Sequence, residues 1–258
     1  MFKQILKYRD LLMMLTLRDI RIRYKQAVMG FLWAIFMPVL AIAAGLLIKT
    51  AVSIVSGKPL DLAGVVSISV KVLPWTFFIS SIRFAVQSLV GNKNLVTKIY
   101  FPREVLPFSG ILACLFDFSI AIIALIILLV SVKAGLSIYL LLIPVVLLFL
   151  ILFTAGLSLL LSSANLFYRD VKYIVEIILM FGIFFTPVFY EASMFGKYET
   201  LLLLNPIGSI LEAINSIVVL HKMPDVFWFS YAGLSSIITF ALGMTLFRKA
   251  EPYFAENI

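Results

Sequence analysis

The residues with chemistry to offer are few, and most are charged. From Thr16 to Pro38 the chain reads TLRDIRIRYKQAVMGFLWAIFMP, and its first half gathers Arg18, Asp19, Arg21, Arg23, Tyr24 and Lys25. Guanidinium groups fork onto carboxylate and phosphate oxygens, so this cluster suits a protein partner, a phosphorylated headgroup or an anionic membrane surface. Two further charges, Arg83 and Asp117, fall inside long apolar runs, where ionisable groups are costly and face a pathway or a partner. Each lies about eight or nine residues from one end of its run, roughly 12 Å deep at helical rise. They are therefore expected to pair or to face one polar cavity. Lys71 and Glu176 sit nearer the ends of their runs and can reach toward headgroups.

Catalysis finds little support. No two of the 13 acids stand closer than five residues, so there is no paired-carboxylate motif. The one histidine, His221, lies among no Cys or acidic neighbours that would complete a metal-ligand set. The single cysteine, Cys114, sits in an apolar run and offers neither a disulfide framework nor a Cys-based metal site. No G-x-x-x-x-G-K-[ST] occurs, so ATP is not bound through a P-loop.

These residues are carried by a polytopic membrane chain. The 258 residues are 63% hydrophobic and 13% charged, far from the composition of a soluble domain. The apolar residues come in runs of about 20, the length that crosses a hydrocarbon core as helix. The net charge of +8 reads as the excess of Lys and Arg on cytoplasmic loops rather than as a nucleic-acid surface. MFKQILKYRD lacks the apolar core and cleavage site of a signal peptide.

The expected fold is all-α and integral to the membrane, with six transmembrane helices and both termini cytoplasmic. Residues 1–28 form a cytoplasmic amphipathic segment, helical over 4–27. Met13, Leu17, Ile20 and Tyr24 lie on one helical face, and Arg18, Arg21 and Lys25 on another. Spans one to five occupy 30–190, at about 30–54, 64–90, 108–132, 138–164 and 173–190. A turn at Gly57 and Pro59 separates the first two. Span six covers 226–247, and 248–258 is a cytoplasmic tail. Residues 191–225 are expected as short helices re-entering the outer face and broken at Asn205–Pro206. Leu201–Leu220 is long enough to cross, but a seventh span would carry Arg248 and Lys249 outside. Two inner segments, KIYFPREVLP and NLFYRDVK, offer Lys98, Pro102, Arg103, Glu104, Arg169 and Asp170. Their aromatic residues, such as Tyr100 and Phe167, serve docking better than solvation.

Several motifs in order carry a resemblance. They are RD-x-R-x-RYKQ-x-x-x-G-x-x-W-x-x-x-x-P at 18–38, KIYFPREVLP at 98–107, LFYRDVKYI at 166–174, TPVFY at 186–190, NP at 205–206 and EPYF at 251–254. Together they resemble the membrane subunit of ABC-2-type polysaccharide exporters over nearly the whole chain. Among these the O-antigen exporters of lipopolysaccharide biogenesis are the most similar, with capsule and teichoic acid exporters close behind. The resemblance implies a homodimer in the bacterial inner membrane with two copies of a separate ATPase, which holds ATP and Mg. No cofactor is then expected in this chain. It also implies a substrate built on undecaprenyl diphosphate and moved outward. The N-terminal helix and the inner loops would contact the ATPase, while Pro187, Tyr190, Asn205 and Pro206 would belong to an external gate. A lipid-sugar transferase and a non-transporting scaffold are the alternatives from other classes; co-purification with an ATPase chain separates both from an exporter.

Overall fold

The structure is a computed structural model that describes residues 7–25, 30, 32–56, 62–131, 133 and 135–257. The expected turn at Gly57 and Pro59, and the first six residues, lie outside the described residues. Among the described residues there is no strand. Helix α1 is Arg9–Tyr24, α2 Leu32–Ser56, α3 Leu62–Gly91, α4 Lys93–Lys98 and α5 Val105–Ser131. A 3-10 turn, Ile138–Leu142, leads into α6, Ile143–Phe167, and α7 follows at Val171–Gly182. A second 3-10 segment, Ala192–Tyr198, precedes α8, Glu199–Leu203, and α9, Pro206–Val218. Helix α10 is Val226–Ala250, and α11, Phe254–Asn257, closes the chain.

Among the described residues, four helical segments are long and apolar enough to cross a bilayer: Gly64–Gly91, Val105–Ser131, Ile138–Phe167 and Val226–Asn257. The first is 78% buried, against 28%, 33% and 22% for the others, which makes α3 the axis of the bundle. It packs on α5, α6, α9, α2 and α7. Its core partners include Phe118 of α5, Phe153 of α6 and Ile210 of α9. Helices α6 and α10 approach most closely because Gly156 and Gly243 meet there. A Cβ on Gly156 would stand 2.5 Å from the Thr239 carbonyl oxygen. Small residues at such crossings let backbones touch where no hydrophobic effect drives helices together.

The N-terminal helix faces its neighbours differently from the expected pattern. It buries Leu15, Thr16 and Ile20, while Met13 and Leu17 stay exposed. The inward side continues through Asp19 and Arg23, whose polar groups find partners on α5. A pattern read from hydrophobicity alone therefore rotates the helix wrongly.

The fifth apolar run also ends early as helix. Helix α7 has 12 residues, about 18 Å long, which is short of a hydrocarbon core of roughly 30 Å. Residues 183–190 are turns. The Thr186 hydroxyl donates to the Gly182 carbonyl at 2.8 Å, and Tyr190 Oη donates to the Phe184 carbonyl at 2.8 Å. Irregular backbone at such depth persists only when its carbonyls are satisfied in this way. After it, the chain breaks between α8 and α9. The Asn205 side chain caps α9 by accepting from the Ile207 N–H at 3.3 Å, with Pro206 in the first turn.

One end of the bundle gathers α1, α4, the 99–104 loop, the end of α6 and the C-terminal residues. Leu15, Val96, Phe101, Leu166, Phe247 and Phe254 share a core there. The opposite end carries Gly135 and His221 in contact range.

Candidate functional site

A joint between α1 and α5 is built as a polar knot. The Arg23 guanidinium donates to Asp117 Oδ2 at 2.6 Å and to Cys114 Sγ at 3.3 Å. Tyr24 Oη donates to the other Asp117 oxygen at 2.6 Å. The guanidinium also lies 3.7 Å over the Phe84 ring of α3. One carboxylate thus holds two side chains of α1, and the ring covers the positive charge. Burial, and then the hydrogen bond to Asp117, push the Tyr24 phenol well above its ordinary value, so it stays a protonated donor. Beside this knot lies a cavity of about 400 Å³, lined by Trp33 and Met37 of α2, Thr76 and Ser80 of α3, and Phe118 of α5.

Arg83 and Asp117 do not pair. Arg83 Nε donates to Glu176 Oε2 of α7 at 3.0 Å, and Arg83 does not line the Asp117 cavity. The two residues share a depth but point to different neighbours, since Asp117 faces α1 while Arg83 faces α7. Lys71 does not reach toward headgroups either. It is fully buried, donates to the Tyr190 carbonyl at 2.5 Å and lies 3.6 Å from Glu212 of α9. Asn215, one turn further along α9, is also fully buried.

At the end of the bundle that gathers α1 and the described C-terminal residues, Arg18 donates to Asp19 at 2.8 Å and to the Asn92 side chain at 3.0 Å. Ser109 donates to the second Asp19 oxygen at 3.2 Å. Arg21 and Lys25 project outward, as do Lys98, Arg169 and Asp170. Arg103 and Glu104 form a crossed clasp with the C-terminal segment. The Arg103 N–H donates to Glu251 Oε1 at 3.0 Å, and its guanidinium donates to the Glu251 carbonyl at 3.0 Å. Arg248 donates to Glu104 Oε1 at 3.2 Å. With Tyr8, Tyr100 and Pro102, these residues surround a polar hollow of about 470 Å³.

The residues expected at an external gate also come together. Pro187 is buried against Gly208 of α9. The Asn205 side chain donates to the Thr186 hydroxyl at 2.9 Å, and Tyr190 supplies the carbonyl held by Lys71. Pro206 opens α9. The partners of Lys71 and the structural roles of Glu212 here and of Asn165 at the α6–α7 turn were missed by sequence reasoning. Asn165 donates to the Val86 carbonyl and accepts from the Lys172 N–H, fixing the α6–α7 turn. Polar residues inside apolar runs were the available signal for all three. Among the described residues, no group of His, Cys, Asp and Glu is arranged to hold a metal ion.

Residues 10–219 match the model of the ABC-2 type transporter membrane family. The chain is 28% identical to the O-antigen export system permease protein RfbA of Myxococcus xanthus, an alignment covering 99% of this chain and 98% of that one. It is 29% identical to a permease of the same name from Klebsiella pneumoniae, covering 96% and 94%.

Proposed function

The chain belongs to the ABC-2 type transporter family, and from that premise we propose that it is the membrane subunit of an ATP-driven polysaccharide exporter. The cargo is an O-antigen type glycan carried on undecaprenyl diphosphate and moved from cytoplasm to periplasm. Two copies of this chain span the inner membrane with six helices each and both termini inside. Two copies of a separate ATPase bind and hydrolyse ATP with Mg. The observation that carries this reading is the nearly end-to-end alignment with two O-antigen export permeases.

The geometry supplies the working parts. Arg21, Lys25, Lys98, Arg169 and Asp170 are an exposed surface on which an ATPase can push. The clasp through Arg103 and Glu104 passes that push to α10, and the knot at Asp117 passes it from α1 to α5. Exposed Arg21 and Lys25 are also placed to attract a lipid diphosphate, whereas Arg23 is already committed to Asp117. Rigid-body tilting of the spans then opens the path.

A deletion strain tests the reading. Lipid-linked glycan should accumulate inside the cell, surface O-antigen should vanish, and the purified protein should carry an ATPase chain with it. Accumulation of a capsule or teichoic acid precursor would assign another cargo within the same function. No accumulation of any lipid-linked glycan would overturn the exporter reading.

A further inference from the structure

Helix α3 is buried almost all round, and its one open stripe is mostly polar, with Ile79 and Phe84 as its apolar members. Between Val66 and Gln87 the positions that reach the surface cluster along one face, with Thr76, Ser80, Arg83 and Gln87 at 4-3-4 spacing. The exposed residues of α5 and α10 are of the opposite kind, among them Ile123, Ile127 and Val130, and Ile237, Leu242 and Leu246. Those faces suit lipid. The α3 stripe does not, because its centre is an ion pair with Arg83 47% and Glu176 45% exposed. An ion pair so open to hydrocarbon is costly, which leaves water or another polar surface as its neighbour. Two hollows border the stripe. The first, already described, touches Thr76, Ser80 and Phe84, and a second of about 190 Å³ touches Phe84 and Gln87.

We infer that this stripe, with Glu176 of α7, is a wall along which an uncharged glycan chain slides, and that the Arg83–Glu176 pair sets its charge preference. The inference rests on the exporter reading. Hydroxyl and amide groups at positions 76, 80 and 87 exchange hydrogen bonds with sugar hydroxyls as readily as water does. The ion pair adds donors and acceptors without net charge. The other charges lining the two hollows, Asp19, Arg23 and Asp117, are likewise paired. Nothing on the stripe then holds a passing anion or cation, while Phe84 offers a ring for the C–H face of a sugar.

The test uses the full transporter with its ATPase in native membranes. Gln87→Cys and Ser80→Cys are probed with a membrane-impermeant thiol reagent, with Ile127→Cys as the lipid-facing control. The parent, whose single Cys114 is buried, sets the background. Both stripe variants should react, and retained lipid-linked glycan should block them; the control should stay silent. Unreactive stripe cysteines, or spontaneous disulfides between two copies, would place the stripe at lipid or at a subunit interface and overturn the inference. Charge is tested separately at equal protein abundance. Glu176→Gln should lower export of an uncharged O-antigen roughly tenfold, and adding Arg83→Gln should restore most of it. If the double variant is no better than the single one, or abundance falls in proportion, the pair is only a structural contact. Thiol reactivity is read independently of cargo, so failure of the exporter reading in the deletion strain is distinguishable from failure here.

Discussion

Asp117 is the residue on which the joint depends. It holds Arg23 and Tyr24 at once, and Arg23 is only 15% exposed at its side chain. Asp117→Asn leaves a guanidinium with no anionic partner. The expected loss is about 2 kcal/mol, below the roughly 3–5 of a fully enclosed pair because the adjoining cavity admits solvent. A lowered melting temperature of the detergent-purified protein checks this. Tyr24 gives a pH signature. Its folded-state pKa is raised, so the stability it contributes is complete below the ordinary tyrosine value near 10 and is lost as pH rises beyond it. Tyr24→Phe should therefore flatten the alkaline limb of the stability profile and leave neutral pH lower by about 1 kcal/mol, the worth of one hydrogen bond. That Asp117 and Arg83 lie inside long apolar runs was legible in the sequence. Their partners were not. Depth says nothing about which way a side chain points, and an acid on α7 proved nearer to Arg83 than one at equal depth on α5.

At the scale of elements, the long helices follow from apolar runs, and the break before α9 follows from Asn205 and Pro206. The early end of α7 was hidden because residues 183–190 remain apolar after the helix stops. What ends it is tertiary. Lys71 of α3, 119 residues away in sequence, captures the Tyr190 carbonyl and offsets a lost helical bond. Lys71→Met should leave that carbonyl without its donor and the half-buried Glu212 without the cation 3.6 Å away, at a cost of about 3 kcal/mol. The loss is local, so limited proteolysis at exposed Phe195 or Tyr198 should speed up before the bundle melts. The α6–α10 crossing predicts a different outcome. Gly156→Val drives a side chain into the Thr239 backbone, which cannot swing aside. About 2–3 kcal/mol of overpacking should appear as global loss of folded protein in the membrane fraction.

The described residues divide into one end that gathers α1, the 99–104 loop and the C-terminal residues, and a far end, joined by a packed axis. Charge patterning in the sequence had already grouped α1, the 98–107 segment and the chain termini, because basic residues collect on one side of a membrane. The clasp between that segment and the C-terminal residues was not readable, since Arg103 and Glu251 are far apart in sequence and surrounded by other charges. Glu104→Gln weakens the clasp at a nearly fully buried position. The expected outcome is an assembled complex with ATPase activity retained and export reduced about fivefold, an effect near 1 kcal/mol. Parallel assays of ATP hydrolysis and surface glycan would show the separation.

The backbone contact at Gly156 and Gly243 bears on stiffness. Two helices that touch through main chain cannot slide past one another without a clash, so α6 and α10 behave as one beam. The clasp fastens one end of that beam, and the Asp225 cap, accepting from the Phe227 and Trp228 amides, marks the other. Helix α7 ends at Gly182 and has no such continuity. The described helices are thus bound backbone to backbone on one flank and interrupted on the other.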